Sequence, residues 1–273
     1  MKIDYHVHSS LSFDGEPSAS IENIYAKAQK ENMDEIAICD HYDVNWVICG
    51  ENPEIDFEAS RARVDAANEG RKDPLAPKLL LGIELGQPHQ CHKKAEQTLR
   101  ENDFDFVLCA LHNARGEKDF YYMDYQNTSV EHLTALFEKY TEELCELANW
   151  GDFHALAHIT YPVRYLLAND IHIPMEKYAD LYQKLFKIMI ARGIALELNT
   201  SGMRKKIKQP SPSYALLKLY KSVGGELITL GSDAHKMQDI FSGIAEAQEQ
   251  LRELGFGYIS AVKNKKLVQI KNG

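Results

Sequence analysis

Seven short apolar runs recur along the chain: KIDYHVH, EIAICDH, KLLLGIE, FVLCALH, HALAHIT, IALELNT and LITLGSDAH. Each is followed by a longer stretch. Alternation of this kind is the mark of βα units wound around a parallel sheet, because parallel neighbours need a crossover long enough to hold a helix. The expected helices are SIENIYAKAQKEN, FEASRARVDAANEG, HKKAEQTLREN, SVEHLTALFEKYTEELCELANW, MEKYADLYQKLFKIMIARG, PSYALLKLYKSVGG and SGIAEAQEQLREL. Ser129 supplies a start signal; Gly193, and Gly224 with Gly225, supply stops. The rhythm runs from the first residues to about Phe256 with no Pro/Ser-rich linker, so residues 1–273 are expected to form one α/β domain. KNKK, at 263–266, reads as a solvated turn, and the stretches Tyr42 to Asp56 and Asn113 to Thr128 as loops on one rim.

The ends of the runs carry the chemistry. Six of the seven close on a histidine or carboxylate: HVH, CDH, GIE, ALH, AHIT and GSDAH. Successive side chains of a strand point to opposite faces, so His6 and His8 project the same way. In an α/β barrel the C-terminal strand ends converge on one face. His6, His8, Asp14, His41, Glu84, His112, His158, Asp233 and His235 are therefore expected to gather in one bowl. Six imidazoles, three carboxylates and no thiolate suit Zn, Mn or Fe better than Mg or Ca. Nine donors exceed what one tetrahedral ion uses, so two or three ions are expected, with Glu84 and Asp233 placed to bridge them. A single histidine at a strand end is more often a hydrogen-bonded structural residue; the repetition at equivalent places in separate βα units overrides that reading. His89, His92, His132, His154 and His172 fall in helices, loops or strand beginnings and read as ordinary.

Composition narrows the class. The formal charge of −9, with no basic stripe beyond MRKKIK and KNKK, argues against nucleic acid or an anionic membrane as partner. No stretch approaches a membrane span, and no charged-then-apolar leader opens the sequence. Five cysteines (Cys39, Cys49, Cys91, Cys109, Cys145) without CxxC spacing suggest neither a disulfide framework nor a thiolate zinc site, and point to a reducing, cytoplasmic setting. Cys39 and Cys109 lie inside apolar runs and read as small buried residues.

HxH near the start, DH closing the second run, GIE, ALH, AHIT and GSDAH together resemble the successive motifs of the polymerase and histidinol phosphatase (PHP) superfamily, over nearly the whole chain. NTSGMRKKIKQPSPS after the sixth run is similar to the histidinol-phosphate phosphatase branch. The resemblance implies a distorted (β/α)7 TIM-like barrel, in agreement with the seven runs. It also implies three divalent ions: one held by His6, His8, Glu84 and Asp233, a second by Glu84, His112 and His158, a third by Asp14, His41 and His235. Some family members carry histidine where Asp14 stands; a carboxylate is chemically acceptable there. The resemblance further suggests arginines for the phosphate, and Arg164 and Arg204 lie in loops that follow strand ends. A guanidinium fork matches phosphate oxygens in a way that lysine does not. Lys205, Lys206 and Lys208 read as solvated cations that raise the potential near the mouth.

The expected reaction is in-line hydrolysis of a phosphomonoester by hydroxide formed near neutral pH, with Glu84, Asp233 and His235 at the catalytic centre. Asp40 precedes a donor histidine and reads as an orienting residue or a helix cap. For the amine of L-histidinol phosphate, the acidic loops offer Asp43, Glu117 and Asp119. Two alternatives stay open: a phosphoesterase of the same superfamily acting on another small ester such as a nucleotide or sugar phosphate, and a metal-binding module without catalysis.

Overall fold

The computed structural model describes residues 1–45, 55–71, 73 and 75–273, and the expectation for Cys49 and for the middle of the Tyr42 to Asp56 stretch lies outside them. The element order is β1 (Ile3–Val7), α1 (Ile21–Glu31), β2 (Glu35–Ile38), β3 (His41–Asp43), α2 (Phe57–Glu69), β4 (Lys78–Gly86), α3 (His92–Glu101), β5 (Phe106–Ala110), α4 (Val130–Trp150), β6 (Ala155–Leu156), α5 (Tyr161–Ala168), α6 (Ala179–Arg192), β7 (Ala195–Asn199), α7 (Tyr214–Ser222), β8 (Ile228–Gly231), α8 (Ile244–Glu253), β9 (Tyr258–Lys263) and β10 (Lys266–Lys271). β1, β2, β4, β5, β6, β7 and β8 run side by side and parallel, with β3 on the edge of β4. These are the seven barrel strands expected from the apolar runs.

The strands are buried along their length because helices cover the outer face while side chains fill the interior. Helix ends follow the local signals. Ser20 and Ser129 accept from the backbone N–H of Asn23 and His132, each at 3.2 Å, and Gly193 closes α6 at φ 68°.

The barrel is nearly closed. At the C-terminal rim β1 meets the end of β8 through Asp233 N–H to His6 O (2.7 Å) and His8 N–H to Ala234 O (3.0 Å). Lower down, the Asp4 carboxylate takes the place of a backbone acceptor, receiving the Ser232 N–H at 2.9 Å.

Four elements were not expected. α5 begins Tyr161–Pro162, and proline in a first helical turn gives up only an N–H that has no intrahelical partner there. β3 extends the second run beyond CDH. The C-terminal residues form an antiparallel hairpin, β9 and β10, whose turn at Asn264 and Lys265 has positive φ (51° and 57°). KNKK is thus a turn, as expected, but between strands. The hairpin is tied to the barrel by Val262 N–H to Tyr5 Oη (2.8 Å) and by the His154 ring, which accepts from Val107 N–H at 2.9 Å and meets Lys265 O at 3.0 Å. Among the described residues no helix is long and apolar enough to cross a membrane, and Cys39, Cys91, Cys109 and Cys145 are free, with Cys39 and Cys109 fully buried.

Candidate metal centre

All nine donors named from the strand ends meet at the C-terminal rim. Glu84, at 0% exposure, is the hub. Its Oε1 lies 2.8 Å from His158 Nε2 and 3.2 Å from His112 Nε2. Its Oε2 lies 2.8 Å from His41 Nδ1, 3.3 Å from His6 Nε2 and 3.5 Å from His8 Nε2. Asp233 Oδ1 reaches His8 Nε2 at 3.5 Å, His235 Nδ1 at 3.6 Å and His6 Nε2 at 3.9 Å. Asp14 Oδ2 completes the set, 3.0 Å from His235 Nε2 and 3.5 Å from His41 Nε2. The donor atoms form four overlapping groups within 4.8 Å: His8, Asp14, His41 and His235; His6, Glu84 and His158; His6, His8 and Asp233; His41, Glu84 and His112. The expected Asp14–His41–His235 set is together and is joined by His8. The expected Glu84–His112–His158 set is split, with Glu84 grouped with His6 and His158 in one case and with His41 and His112 in another, so the partition among ions is less separate than the resemblance implies.

The arrangement makes physical sense only with cations. His6 Nε2 faces His8 Nε2 at 3.1 Å, and His41 Nε2 faces His235 Nε2 at 3.3 Å. Glu84 Oε2 is buried with no hydrogen bond, although ring nitrogens surround it. Lone pairs turned toward one another in a water-poor bowl repel unless a positive charge lies among them. Protons can play that part. Against the cost of burial, Glu197, Glu84 and Asp233 push the His6 pKa well above its usual value, and Glu84 with Asp14 does the same for His41. His112 rises to about 10, since Asp43 and Glu84 outweigh burial. His8, by contrast, falls to about 3 through burial and the neighbouring His235 and His41. The cluster turns carboxylates and imidazole nitrogens toward common points, and that donor set fits divalent ions.

Further groups orient the donors. His112 Nδ1 is 3.0 Å from Asp43 Oδ1, which leaves Nε2 for the centre. Asp43 therefore supports a donor. Asp40 accepts from Ser9 N–H (2.6 Å) and Ser9 Oγ–H (2.7 Å), fixing the turn after His8; it orients rather than caps a helix. Glu197 was not singled out from the sequence. It lies 2.6 Å from His6 Nδ1 and accepts the His158 N–H at 2.8 Å. The only signal was the carboxylate inside ELNT, two places before the end of β7. His89 is buried, but pairs with Glu143 at 3.1 Å, away from the nine donors, as an ordinary histidine would.

Six of the nine, Asp14, His41, His112, His158, Asp233 and His235, line a cavity of about 510 Å³ whose walls include Phe13, Asp119, Tyr121, Tyr122, Tyr161, Arg164, Tyr165, Arg204, Lys205 and Lys206. Both arginines named from the sequence are present. Arg164 lies over the Tyr161 ring at 4.8 Å, with Nη1 and Nη2 each 3.4 Å from Asp233 Oδ2. Arg204 donates from Nη2 to Ser232 O at 2.8 Å, while its Nη1 is buried without a hydrogen bond among the described residues. Of the three acids considered for an amine, Glu117 turns away to Lys139 at 3.3 Å, and Asp119 receives the Tyr161 Oη–H at 2.9 Å. Lys206 pairs with Asp170 at 2.7 Å, and Lys208 is exposed.

A protein-family model described as "PHP domain" matches residues 4–201. A relative from Thermotoga maritima named "Probable histidinol-phosphatase" is 30% identical, over 98% of this chain and 99% of that one. One of the same name from Clostridium acetobutylicum is 28% identical, over 88% and 89%. The fold superposes on the crystal structure of histidinol phosphate phosphatase from Lactococcus lactis, complexed with zinc, L-histidinol and phosphate, at a TM-score of 0.83, with 21% identity and 98% of each chain covered. Seven of the nine converging donors fall inside the matched residues 4–201, and the remaining two close the same bowl from the end of β8. From its motifs through its barrel to that stretch of matched sequence, this chain belongs to the PHP domain family.

Proposed function

We propose that this chain is a metal-dependent phosphomonoesterase that hydrolyses L-histidinol phosphate, with three divalent ions (Zn, Mn or Fe) held by His6, His8, Asp14, His41, Glu84, His112, His158, Asp233 and His235. The observation that carries the reading is that the clustered histidines and carboxylates open onto a cavity whose wall holds Arg164 over the Tyr161 ring, Arg204, and the Asp119 carboxylate at the Tyr161 hydroxyl. The relatives named for this activity cover nearly the same length of chain. Bound ions supply Lewis acidity toward phosphoryl oxygens and a nucleophile at neutral pH.

The protein groups do the rest. Arg164 and Arg204 bring guanidinium charge to the wall of the cavity that would receive a phosphate dianion, and Lys205 at the mouth raises the potential that draws it in, while Lys206 is offset by Asp170. Asp233 Oδ2 is held by Asn199 Nδ2 (3.2 Å) and Ser201 Oγ (3.1 Å), so that Oδ1 keeps its aim at the imidazoles. Asp119 is the acid assigned to the substrate's amine. Burial, partly offset by His112, raises its pKa, so a cation beside it restores the charge that burial disfavours.

This assignment makes an experimental distinction. Asp119→Asn is expected to lower kcat/KM for L-histidinol phosphate about 10- to 100-fold, the effect of losing a hydrogen bond to a charged group. Turnover of p-nitrophenyl phosphate, which has no amine, stays near that of the parent. A panel of phosphomonoesters ranked by kcat/KM tests the substrate itself, and preference for a nucleotide or a sugar phosphate would remove the assignment.

A further inference from the structure

We infer that Glu197 is a positioning residue that sets the ring of His6 and the turn at His158 for metal binding. This rests on the metal-centre reading above. Among the seven barrel strands, β7 is the one that sends no donor to the cluster. What it sends instead is a carboxylate at 1% exposure whose two oxygens are both committed to donor residues.

Oε1 lies 2.6 Å from His6 Nδ1. An imidazole nitrogen that close to a carboxylate carries the proton, which leaves the lone pair on Nε2, the atom facing His8, Glu84 and Asp233. Oε2 accepts the His158 backbone N–H at 2.8 Å. His158 sits at φ 22°, a backbone setting that a residue with a side chain keeps only when its surroundings enforce it. One carboxylate therefore fixes the tautomer of one donor and the backbone of another, and these come from strands on different sides of β7 and β8.

Two neighbours show that the place is built for it. A Cβ on Gly231 would lie 2.3 Å from Glu197 Oε1 and 2.5 Å from His6 Cβ, so only glycine on β8 leaves room for the pair. Asn199, two residues along β7 and on the same face, donates to Glu197 Oε2 at 3.1 Å and to Asp233 Oδ2 at 3.2 Å. Its amide ties the orienting carboxylate to a third donor.

The test compares zinc-loaded parent and Glu197→Gln. Each is dialysed against graded chelator and its retained ions are counted, and ¹⁵N-histidine spectra report the ring tautomers. Removal of an outer partner of this kind costs about 10- to 100-fold in metal affinity. The expected result is that loss for ions held through His6 and His158, with the ion held by Asp14, His41 and His235 retained as in the parent. His6 in the parent shows a protonated Nδ1, and the variant shows mixed tautomers. Unchanged retention overturns the inference, and so does equal loosening of every ion, which is what a general strut for the barrel would give. If the variant does not fold, the parent spectrum decides alone, because a His6 ring protonated at Nε2 contradicts the assigned role. A parent that retains no ions at all removes the underlying metal-centre reading, a result separate from the others.

Discussion

Glu84→Ala is expected to abolish phosphatase turnover, with kcat/KM falling by about 10³-fold or more, and to reduce the retained ions to at most the one beside Asp14. The expectation follows from the position of Glu84 at the centre of the bowl. Its two oxygens lie 2.8 to 3.5 Å from nitrogens of His158, His112, His41, His6 and His8. Deleting the carboxylate leaves five imidazoles and their ions without the one negative charge common to them. Glu84→Gln keeps the volume and removes the charge, so it should fail in the same way. Ion analysis alongside p-nitrophenyl phosphate turnover checks both variants, and a variant that keeps most of its activity would show that the hub is misassigned.

That the nine side chains converge is legible in the sequence for a reason of topology. In a parallel barrel the end of each apolar run maps onto one rim, so a one-dimensional position becomes a three-dimensional one. His6 and Asp233 are far apart in sequence, yet each lies within two residues of the end of its own strand. Glu197 escaped because it stands deeper, three residues from the end of its run, where a buried carboxylate is recognised only from what it touches. The room it needs comes from Gly231, on the next strand, and no local pattern links the two. The hairpin of β9 and β10 escaped for another reason: its tight turn places Asn264 and Lys265 at positive φ, where glycine is the usual signal, and the surrounding lysines look like a solvated end. α5 was hidden by its opening Tyr–Pro, which reads as loop unless the proline is recognised as a first-turn residue.

Arg164→Lys is expected to lower kcat/KM for phosphomonoesters about 10²-fold while leaving ion content unchanged. The guanidinium lies over the Tyr161 ring at 4.8 Å and within 5.8 Å of the Tyr165 ring, contacts that orient it. Lysine keeps the charge but loses the fork and the stacking. Ion content is preserved because Asn199 and Ser201 still hold Asp233 Oδ2 when the arginine is gone. Inhibition by inorganic phosphate should weaken in parallel with turnover, since the same donors bind both. A variant that loses ions instead would mean that Arg164 serves Asp233 alone, through the 3.4 Å contacts it makes there.

The account as a whole depends on cations gathered within the bowl. Anomalous diffraction from crystals of zinc-loaded protein with phosphate addresses this directly, because data on either side of the zinc absorption edge locate each ion without reference to activity. Three peaks are expected among His6, His8, Asp14, His41, Glu84, His112, His158, Asp233 and His235, with phosphate beside Arg164. Peaks confined to the protein surface, or nine side chains still paired only with one another in saturating zinc, would contradict it.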